Sequence, residues 1–516
     1  MKKNIILSFL LFFVYITVNG QQSTYTNPVI REDMADPSIV KIGNTYYATG
    51  TSSEWAPYYP FFESKDLVNW TQKGHLFQKQ PEWTTSSFWA PELFYYKNKL
   101  YTYYTARNKN RVSYIGVAST DHPDRPFTDH GVIVEWGTEA IDAFVLEDNG
   151  ELYISWKAYG LDKRPIELLA CKLSDDGLKL DGEPFSLMKD DDGIGMEGQY
   201  WFKKGDYYYI LYSTRSCCGP KSDYQVYVAR SKEMKGPYEK YSGNPILQGD
   251  GKDILSCGHG TLTTGPDGRM FYLFHAYLTG TGFFQGRQVM LQEAVAGEDD
   301  WIRFTTGNKA SLIQKTPFNN TKQRPVDNFE DRFKSSVLSN KWTWNYPYST
   351  PRIIPGKGKL SLSGIPESDN QNGTALCIRP NSPHYTYETR VVNQNNSFKG
   401  LTMYGDAKNL IVFGSIDDRL LIKTIKNGEE TILADILLPV PHPYLKIEVN
   451  NGSQGNFFWS ADGKNWTKVH PDTEHSDLGS LVRWDRVARP GLIHIGEGGQ
   501  PAEFGYFKLI HIDLPI

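Results

Sequence analysis

Five ionisable side chains each stand at the start of a short apolar segment. They are Asp36 in MADPSIV, Glu92 in WAPELFY, Asp142 in AIDAFVL, Glu197 in GMEGQYW and His259 in GHGTLTT. A set of carboxylates in one place can bind a cation, or it can move protons as general acid and general base. Either chemistry requires a fold that brings segments far apart in the chain to a common point.

A repeated unit provides such a fold. Each of these segments is followed by a tight turn and an aromatic-rich strand: GNTYYAT from Gly43, NKLYTYY from Asn98, GELYISW from Gly150, GDYYYIL from Gly205 and GRMFYLF from Gly268. The steps between the turns are 55, 52, 55 and 63 residues, which is about the length of one four-stranded propeller blade. The repeat predicts an all-β fold that contains a five-bladed β-propeller.

The first strand of a propeller blade lines the central channel, so the five ionisable groups are predicted to ring one end of that channel around a pocket. Glycoside hydrolysis needs one carboxylic acid to protonate the leaving oxygen and one carboxylate to activate water. A third carboxylate can orient the acid and raise its pKa through like-charge repulsion. The predicted ring contains enough carboxylates for these three tasks.

These segments resemble glycoside hydrolase family 43, whose members are five-bladed propellers that hydrolyse arabinose- and xylose-containing glycans with inversion. The resemblance rests on ADPSIV, the WAPE of Trp89 to Glu92, AIDAFVLEDNG, MEGQYWFKKGDYYYILYS and GHGTLTTGPDG, in the family order. Two positions depart from the family pattern. Ala143 follows Asp142 where the family often has proline, and Glu92 replaces the commoner aspartate, so we interpret Glu92 as structural.

The resemblance implies a role for each matching residue. Asp36 matches the general base, Glu197 the general acid and Asp142 the carboxylate that tunes the acid's pKa. His259 matches a channel histidine that faces either the substrate or a central metal ion, commonly calcium, and calcium is therefore a candidate cofactor. Arg287, in QGRQVML, resembles an arginine of the last blade that reaches the sugar.

Several aromatic side chains lie in loops predicted to face the pocket. Trp55, Trp89 and Phe284 are candidates for substrate binding, because aromatic faces stack on sugar rings. Packing within the blades is the alternative for each of them.

The chain divides into four predicted regions. Residues 1–20 read as a signal peptide with cleavage after Gly20, so we expect an exported protein, periplasmic or secreted, that is not bound to a membrane after cleavage; an uncleaved membrane anchor is the rival. Residues 21–315 form the propeller and 316–326 a polar linker. Residues 327–516 have alternating strands and resemble the concanavalin-like β-sandwich fused to many family 43 enzymes. That second module is interpreted either as glycan-binding or as a stabilising wedge.

Composition limits the partners. The formal net charge of −4 provides no basic field, so nucleic acid is not an expected partner. The five cysteines are Cys171, Cys217, Cys218, Cys257 and Cys377, an odd number without the spacing of a zinc site. The adjacent Cys217 and Cys218 form either a vicinal disulfide or two thiols.

The leading hypothesis is an exo-acting, inverting α-L-arabinofuranosidase or β-xylosidase that acts on plant cell-wall glycans. An endo-arabinanase of the same family is an alternative and would need an open groove. A non-catalytic carbohydrate-binding propeller is another. A retaining enzyme is the third, with its two carboxyl groups about 5 Å apart instead of about 6.5–9.5 Å.

Overall fold

The computed structural model describes residues 23–158, 165–279, 285–318, 321–366, 370–438, 440–469, 476–477, 481, 487–497 and 499–512. The described residues contain strands and turns but no α-helix, and accordingly none of them forms a helix that could cross a membrane. The predicted signal peptide at 1–20 and the predicted substrate contact Phe284 lie outside the described residues.

The first blade and the strand before it occupy the N-terminal part of the described chain. Their strands are β1 (Thr24–Thr26), β2 (Ser38–Ile42), β3 (Thr45–Thr49), β4 (Trp55–Ala56), β5 (Tyr58–Ser64) and β6 (Trp70–Phe77). The blade itself is the antiparallel sheet β2-β3-β5-β6. Its second strand, TYYAT, is the aromatic strand that follows the Gly-Asn turn.

Four further four-stranded antiparallel sheets follow in chain order within the described residues. Blade two contains β7 (Ser86–Tyr96), β8 (Lys99–Arg107), β9 (Ser113–Thr120) and β10 (Thr128–Val134). Blade three contains β11 (Ala140–Asp148), β12 (Glu151–Ala158), β13 (Glu167–Leu173) and β14 (Phe185–Lys189). Blade four contains β15 (Glu197–Lys204), β16 (Tyr207–Thr214), β17 (Gln225–Ser231) and β18 (Glu239–Lys240). Blade five contains β19 (Ile254–Thr264), β20 (Met270–Leu278), β21 (Gln288–Ala296) and β22 (Ile302–Phe304).

The blades close into a ring. Each first strand contacts the first strand of the next blade, and β19 of the last blade contacts β2 of the first. Apolar and aromatic side chains of adjacent blades form the shared cores that hold the ring together. A short strand, β23 (Ile313–Lys315), pairs with β1 and ties the end of the propeller to its beginning. The predicted five-bladed propeller is confirmed.

The second domain is a sandwich of two antiparallel sheets. Its first strands are β24 (Phe329–Asp331), β25 (Trp344–Asn345), β26 (Ser349–Gly356), β27 (Lys359–Pro366), β28 (Thr374–Cys377), β29 (Tyr385–Val391), β30 (Phe398–Asp406) and β31 (Asn409–Ile416). The others are β32 (Arg419–Lys426), β33 (Glu429–Leu437), β34 (Tyr444–Asn450), β35 (Gln454–Ser460), β36 (Thr467–Lys468), β37 (Ser476–Asp477), β38 (Arg489–Ile495) and β39 (Ala502–His511).

Among the described residues, one sandwich sheet has nine strands, with β26-β27-β39-β29-β34-β35-β36 as its main path, and the other has six, β28-β38-β30-β31-β32-β33. Alternate residues point inward, as in YTYETRV of β29, whose burial alternates along the strand. The inward side chains of the two sheets form a single hydrophobic core. This β-sandwich confirms the predicted fold class of the second region.

The two domains share a buried interface next to the channel. Strand β25 of the sandwich pairs with β4 of the first blade, and the Arg379 guanidinium lies 3.0 Å from the Glu32 carboxylate. Trp55 of β4 is only 1% exposed; its ring packs against Tyr404 and lies 4.0 Å from the guanidinium of Arg489. The prediction that Trp55 binds substrate is therefore wrong, because the sandwich encloses its ring.

Candidate active site

The entrance of each first strand has the same unusual backbone. Asp36, Ala90, Asp142, Gly198 and His259 all have a positive φ, between 38° and 58°. Where these residues lie within the first strand, the pairing with the second strand shifts by a β-bulge at that position. Left-handed backbone is uncommon for residues other than glycine and clusters at functional sites.

This geometry corrects the predicted equivalence of the five ionisable residues. Asp36, Asp142 and His259 occupy the left-handed position themselves. Glu197 comes one residue before it, and Glu92 comes two residues after it. Glu92 is buried, accepts a hydrogen bond from Ser38 Oγ at 2.6 Å, and lines a small cavity that Asp36 and His259 also border. The structural interpretation of Glu92 agrees with this position.

Hydrogen bonds from the backbone fix most of these left-handed residues. The Ala90 N–H donates to Thr51 Oγ1 and the Asp142 N–H to Thr105 Oγ1. The His259 N–H donates to Ser213 Oγ and the Asp36 N–H to His275 Nδ1. In every case the acceptor side chain belongs to the preceding blade and lies in the later part of its second strand or just beyond it.

The Asp36 carboxylate is held in its ionised form. Burial alone would raise its pKa, but the Arg287 guanidinium and the rings of His259 and His275 lower it well below the ordinary value. Asp36 Oδ1 lies 3.4 Å from both Arg287 and His259 Nδ1, and Thr51 Oγ1 donates to Oδ2 at 2.6 Å. An ionised, half-buried carboxylate of this kind can accept a proton.

Glu197 and Asp142 are neighbouring carboxyl groups on the other side of the site, and their charges interact. Burial raises the pKa of Asp142 to about 6, and the nearby Glu197 and Asp36 charges act in the same direction. Burial would also raise the pKa of Glu197, but the Lys157 ammonium lowers it below the ordinary value. Lys157 Nζ lies 2.6 Å from Glu197 Oε2, and Tyr224 OH donates to Oε1 at 2.9 Å.

These groups open into one pocket of about 670 Å³ at the end of the channel. Six predicted site residues line it: Asp36, Asp142, Glu197, Trp89, His259 and Arg287. The guanidinium of Arg107 lies 4.8 Å from the Trp89 ring. Pro347 and Tyr348 of the sandwich also line this pocket, so both domains form its wall.

Sequence reasoning missed several groups of the site. Lys157, His275 and Tyr224 contact the predicted carboxylates, and Glu139, whose pKa burial raises to about 7, lines the pocket. A signal was present: Lys157 and His275 are charged or titratable residues among the mainly apolar residues in the later part of their second strands. Each lies opposite the residue that precedes the left-handed position of its own blade.

The donor set does not fit a calcium site built by the protein. Calcium takes six to eight oxygen ligands. The described residues contain no group of three or more His, Cys, Asp or Glu side chains arranged to hold a metal ion. His259 instead faces Asp36 and Asp142, at 3.4 and 4.0 Å from the nearest oxygens. Calcium stays a prediction from the resemblance, and no chemical step is derived through it.

Two family models match the chain. The model described as "Glycosyl hydrolases family 43" matches residues 25–302. The model described as "Beta xylosidase C-terminal Concanavalin A-like domain" matches residues 330–509. The first match covers the five blades and the second covers the sandwich.

Curated relatives cover either both domains or mainly the propeller. The β-xylosidase of Bacillus subtilis is 26% identical over 550 residues, which cover 94% of this chain and 99% of the relative. The extracellular exo-α-(1→5)-L-arabinofuranosidase ArbA of Cellvibrio japonicus is 31% identical over 301 residues, which cover 50% of this chain and 83% of the relative.

A solved structure confirms the architecture of both domains together. The Bacteroides ovatus protein described as "Xyloglucan PUL GH43B" superposes with a TM-score of 0.83 at 21% identity, over 95% of this chain and all of that chain. At that identity the likeness shows the fold.

Proposed function

The chain belongs to glycosyl hydrolase family 43 and is a glycoside hydrolase; from that premise, we propose that it is an exported exo-glycosidase. It releases terminal α-L-arabinofuranosyl or β-D-xylosyl residues from plant cell-wall glycans with inversion. The observation that carries the proposal is one pocket lined by an ionised carboxylate, Asp36, and by the neighbouring carboxyl groups of Asp142 and Glu197. The names of the relatives, which include a β-xylosidase and an arabinofuranosidase, support the two candidate sugars.

The proposed chemistry assigns one proton transfer to each end of the site. Asp36 accepts a proton from the attacking water, because Arg287 and His259 keep its carboxylate ionised. Glu197 donates a proton to the departing glycosidic oxygen. In the free enzyme the Lys157 ion pair opposes protonation of Glu197, whereas Asp142 holds a proton more readily. A leaving group that enters beside Lys157 weakens that ion pair and raises the pKa of Glu197.

The shape of the pocket supports exo action. Strand β25 of the sandwich is attached to β4 of the first blade, and Pro347 and Tyr348, just after β25, form part of the pocket wall. A wall at this place supports the binding of a chain end over the passage of a long glycan. The endo-arabinanase alternative requires a groove that continues past Tyr348.

The test compares the native protein with Asp36→Asn and Glu197→Gln on aryl α-L-arabinofuranoside and aryl β-D-xyloside. We expect one sugar to be released, and Asp36→Asn to lower kcat/KM by roughly 10²–10⁴-fold. Glu197→Gln should lose less on an aryl substrate with a good leaving group, which needs little protonation. NMR of the first-formed anomer tests inversion, and unchanged activity in Asp36→Asn would refute the assignment.

The alternatives give different results in the same experiment. An endo-enzyme would leave both aryl glycosides intact and shorten a long arabinan. A binding propeller would leave both intact and bind the polymer without cleavage. A retaining enzyme would form a first product with the anomeric configuration of the substrate.

A further inference from the structure

The adjacent cysteines Cys217 and Cys218 form a disulfide, and both line the catalytic pocket. Cys218 is buried and Cys217 is half-buried. The other three cysteines, Cys171, Cys257 and Cys377, are buried free thiols. The disulfide thus lies at the site, while the thiols lie in the cores of the two domains.

The loop that carries the disulfide is fixed at several points. It connects β16 to β17 and spans residues 215–224. The Ser222 hydroxyl lies 3.0 Å from the carbonyl oxygens of Ser216 and Cys217 and 2.7 Å from Ser256 Oγ. The Gly219 N–H donates to Tyr277 OH at 3.2 Å. The disulfide is therefore presented to the pocket by an anchored loop.

The same loop ends at the proposed acid. Tyr224 donates to Glu197 Oε1, and its ring stacks on His275 with 5.7 Å between centroids and 11° between planes. His275 in turn accepts the Asp36 N–H. The disulfide is thus attached to the part of the wall that holds Glu197, where the bond to be cleaved must lie.

The wall of this pocket combines apolar surface, which is the larger share, with many polar side chains. Most of its lining side chains are charged or hydroxyl-bearing, and the Trp89 ring is partly occupied by the Arg107 guanidinium. A pentose ring has C–H faces as well as hydroxyl groups, and sites for such ligands combine apolar surface with a few polar contacts. Disulfide sulfur is polarisable and, unlike two thiols, offers no S–H donor.

We propose that the Cys217–Cys218 disulfide is a substrate-contacting wall of the pocket, on which the apolar face of the pentosyl unit packs beside Glu197. This inference rests on the proposed function. The disulfide closes the two side chains into one ring, so no rotamer freedom is lost when the sugar binds. Two thiols would have to be ordered by the sugar, which weakens binding without changing the proton-transfer groups.

The experiment measures kcat, KM and the pH profile of native enzyme, of Cys217→Ser/Cys218→Ser, and of native enzyme reduced by dithiothreitol. In the reduction, dithiothreitol becomes its cyclic disulfide as both cysteines become thiols; alkylation and mass spectrometry verify the product. We expect KM to rise roughly 5- to 30-fold in both modified forms, a range typical of a lost apolar contact worth about 1–2 kcal/mol. The pH profile should stay unchanged, and the double variant should not respond to dithiothreitol.

Two controls distinguish a disulfide that contacts the sugar from one that has another role. Cys171→Ala removes a buried thiol of the third blade and should leave KM unchanged. If the disulfide acted only by holding Tyr224 on Glu197, kcat and the alkaline limb of the pH profile would change and KM would not. That result overturns the proposal. Should the double variant fail to fold, the reduced native enzyme gives the same measurement.

Binding of L-arabinose and D-xylose, measured by calorimetry, distinguishes this inference from the proposed function. Sugar binding that depends on the disulfide, without hydrolysis of either aryl glycoside, overturns the exo-pentosidase alone. Hydrolysis with the same KM and the same sugar affinity in all three forms overturns only the proposal that the disulfide contacts the sugar. If the protein neither hydrolyses the aryl glycosides nor binds either sugar, both the proposed function and this inference are overturned.

Discussion

Neighbouring blades are joined in two different ways around the channel. At four junctions the N–H of the left-handed residue donates to a side chain in or just beyond the second strand of the preceding blade: Thr51, Thr105, Ser213 or His275. At the junction of blades three and four, the Gly198 N–H donates instead to a side chain in the first strand of the preceding blade, Asp142 Oδ2, at 3.0 Å. That fifth junction is also where Glu197 lies.

The register of the second strands explains the exception. Lys157 occupies in blade three the position that Thr105, Ser213 and His275 occupy in their blades, opposite the residue before the left-handed one. An ammonium group has no acceptor, so Lys157 cannot receive the Gly198 N–H. It pairs with Glu197 instead, and Asp142 takes over the acceptor role. Because this one position of the repeat holds a lysine, Asp142 both joins the two blades through the Gly198 N–H and stays next to Glu197.

Asp142→Asn tests the exceptional junction most directly. The amide oxygen can still accept the Gly198 N–H, while the negative charge beside Glu197 is lost. We expect kcat/KM at neutral pH to fall roughly 10²-fold or more, as for loss of a group in acid–base catalysis. The acid must be protonated, so activity falls as pH rises through the pKa of the pair, with Asp142 at about 6. Without the like charge this alkaline limb should move to lower pH.

The matched control for Asp142→Asn is Asp148→Asn. Asp148 is a buried carboxylate at the other end of the same strand, held by Tyr208 OH at 2.8 Å. Its loss should lower stability without moving the pH–rate profile. An unchanged alkaline limb in Asp142→Asn would contradict the proposed coupling.

Lys157→Met removes the cation that makes this junction different. Breaking a buried ion pair typically costs about 3–5 kcal/mol. The native pKa of Glu197 is lowered, so the pair's contribution is present above the unfolded pKa and is lost as pH falls through the folded pKa. The destabilisation should therefore be large at pH 7 and shrink in acid, as chemical denaturation at several pH values would show. A loss of stability independent of pH would contradict the ion-pair account.

Gly198→Ala tests the backbone of the same junction. A Cβ at Gly198 would lie 2.6 Å from the His259 ring, at a φ of +58°. Left-handed strain alone costs on the order of 1–3 kcal/mol. Gly205→Ala provides the control, because Gly205 has φ +59° with no atom within 4 Å of the added Cβ. Both variants should lose thermal stability, but only Gly198→Ala should lose activity by a few-fold. Equal activities would show that the contact with His259 is unimportant.

The features that recur in each unit could be predicted from the sequence. The features that depend on packing between blades or between domains could not. The five units, and the carboxylates Asp36 and Asp142, could be located because strand, turn and acid recur at similar spacing. Lys157 was missed because its role depends on pairing with the next blade. Trp55 was misassigned because a distant domain covers it, and no local pattern carries that information.

Thr105→Val examines a regular junction and should have the smallest effect. Thr105 Oγ1 accepts the Asp142 N–H at 3.2 Å, so valine leaves a buried donor without its partner, at a cost of about 1–3 kcal/mol. Thr102 lies on the same strand and is fully buried, and its hydroxyl has no partner among the described residues. Thr102→Val should therefore be neutral or stabilising. The pH–rate profile should be the same in both variants, because neither changes a charge. A shift in the Thr105→Val profile as large as that of Asp142→Asn would mean that regular junctions tune the acid as well, and the contrast between the two kinds of junction would be lost.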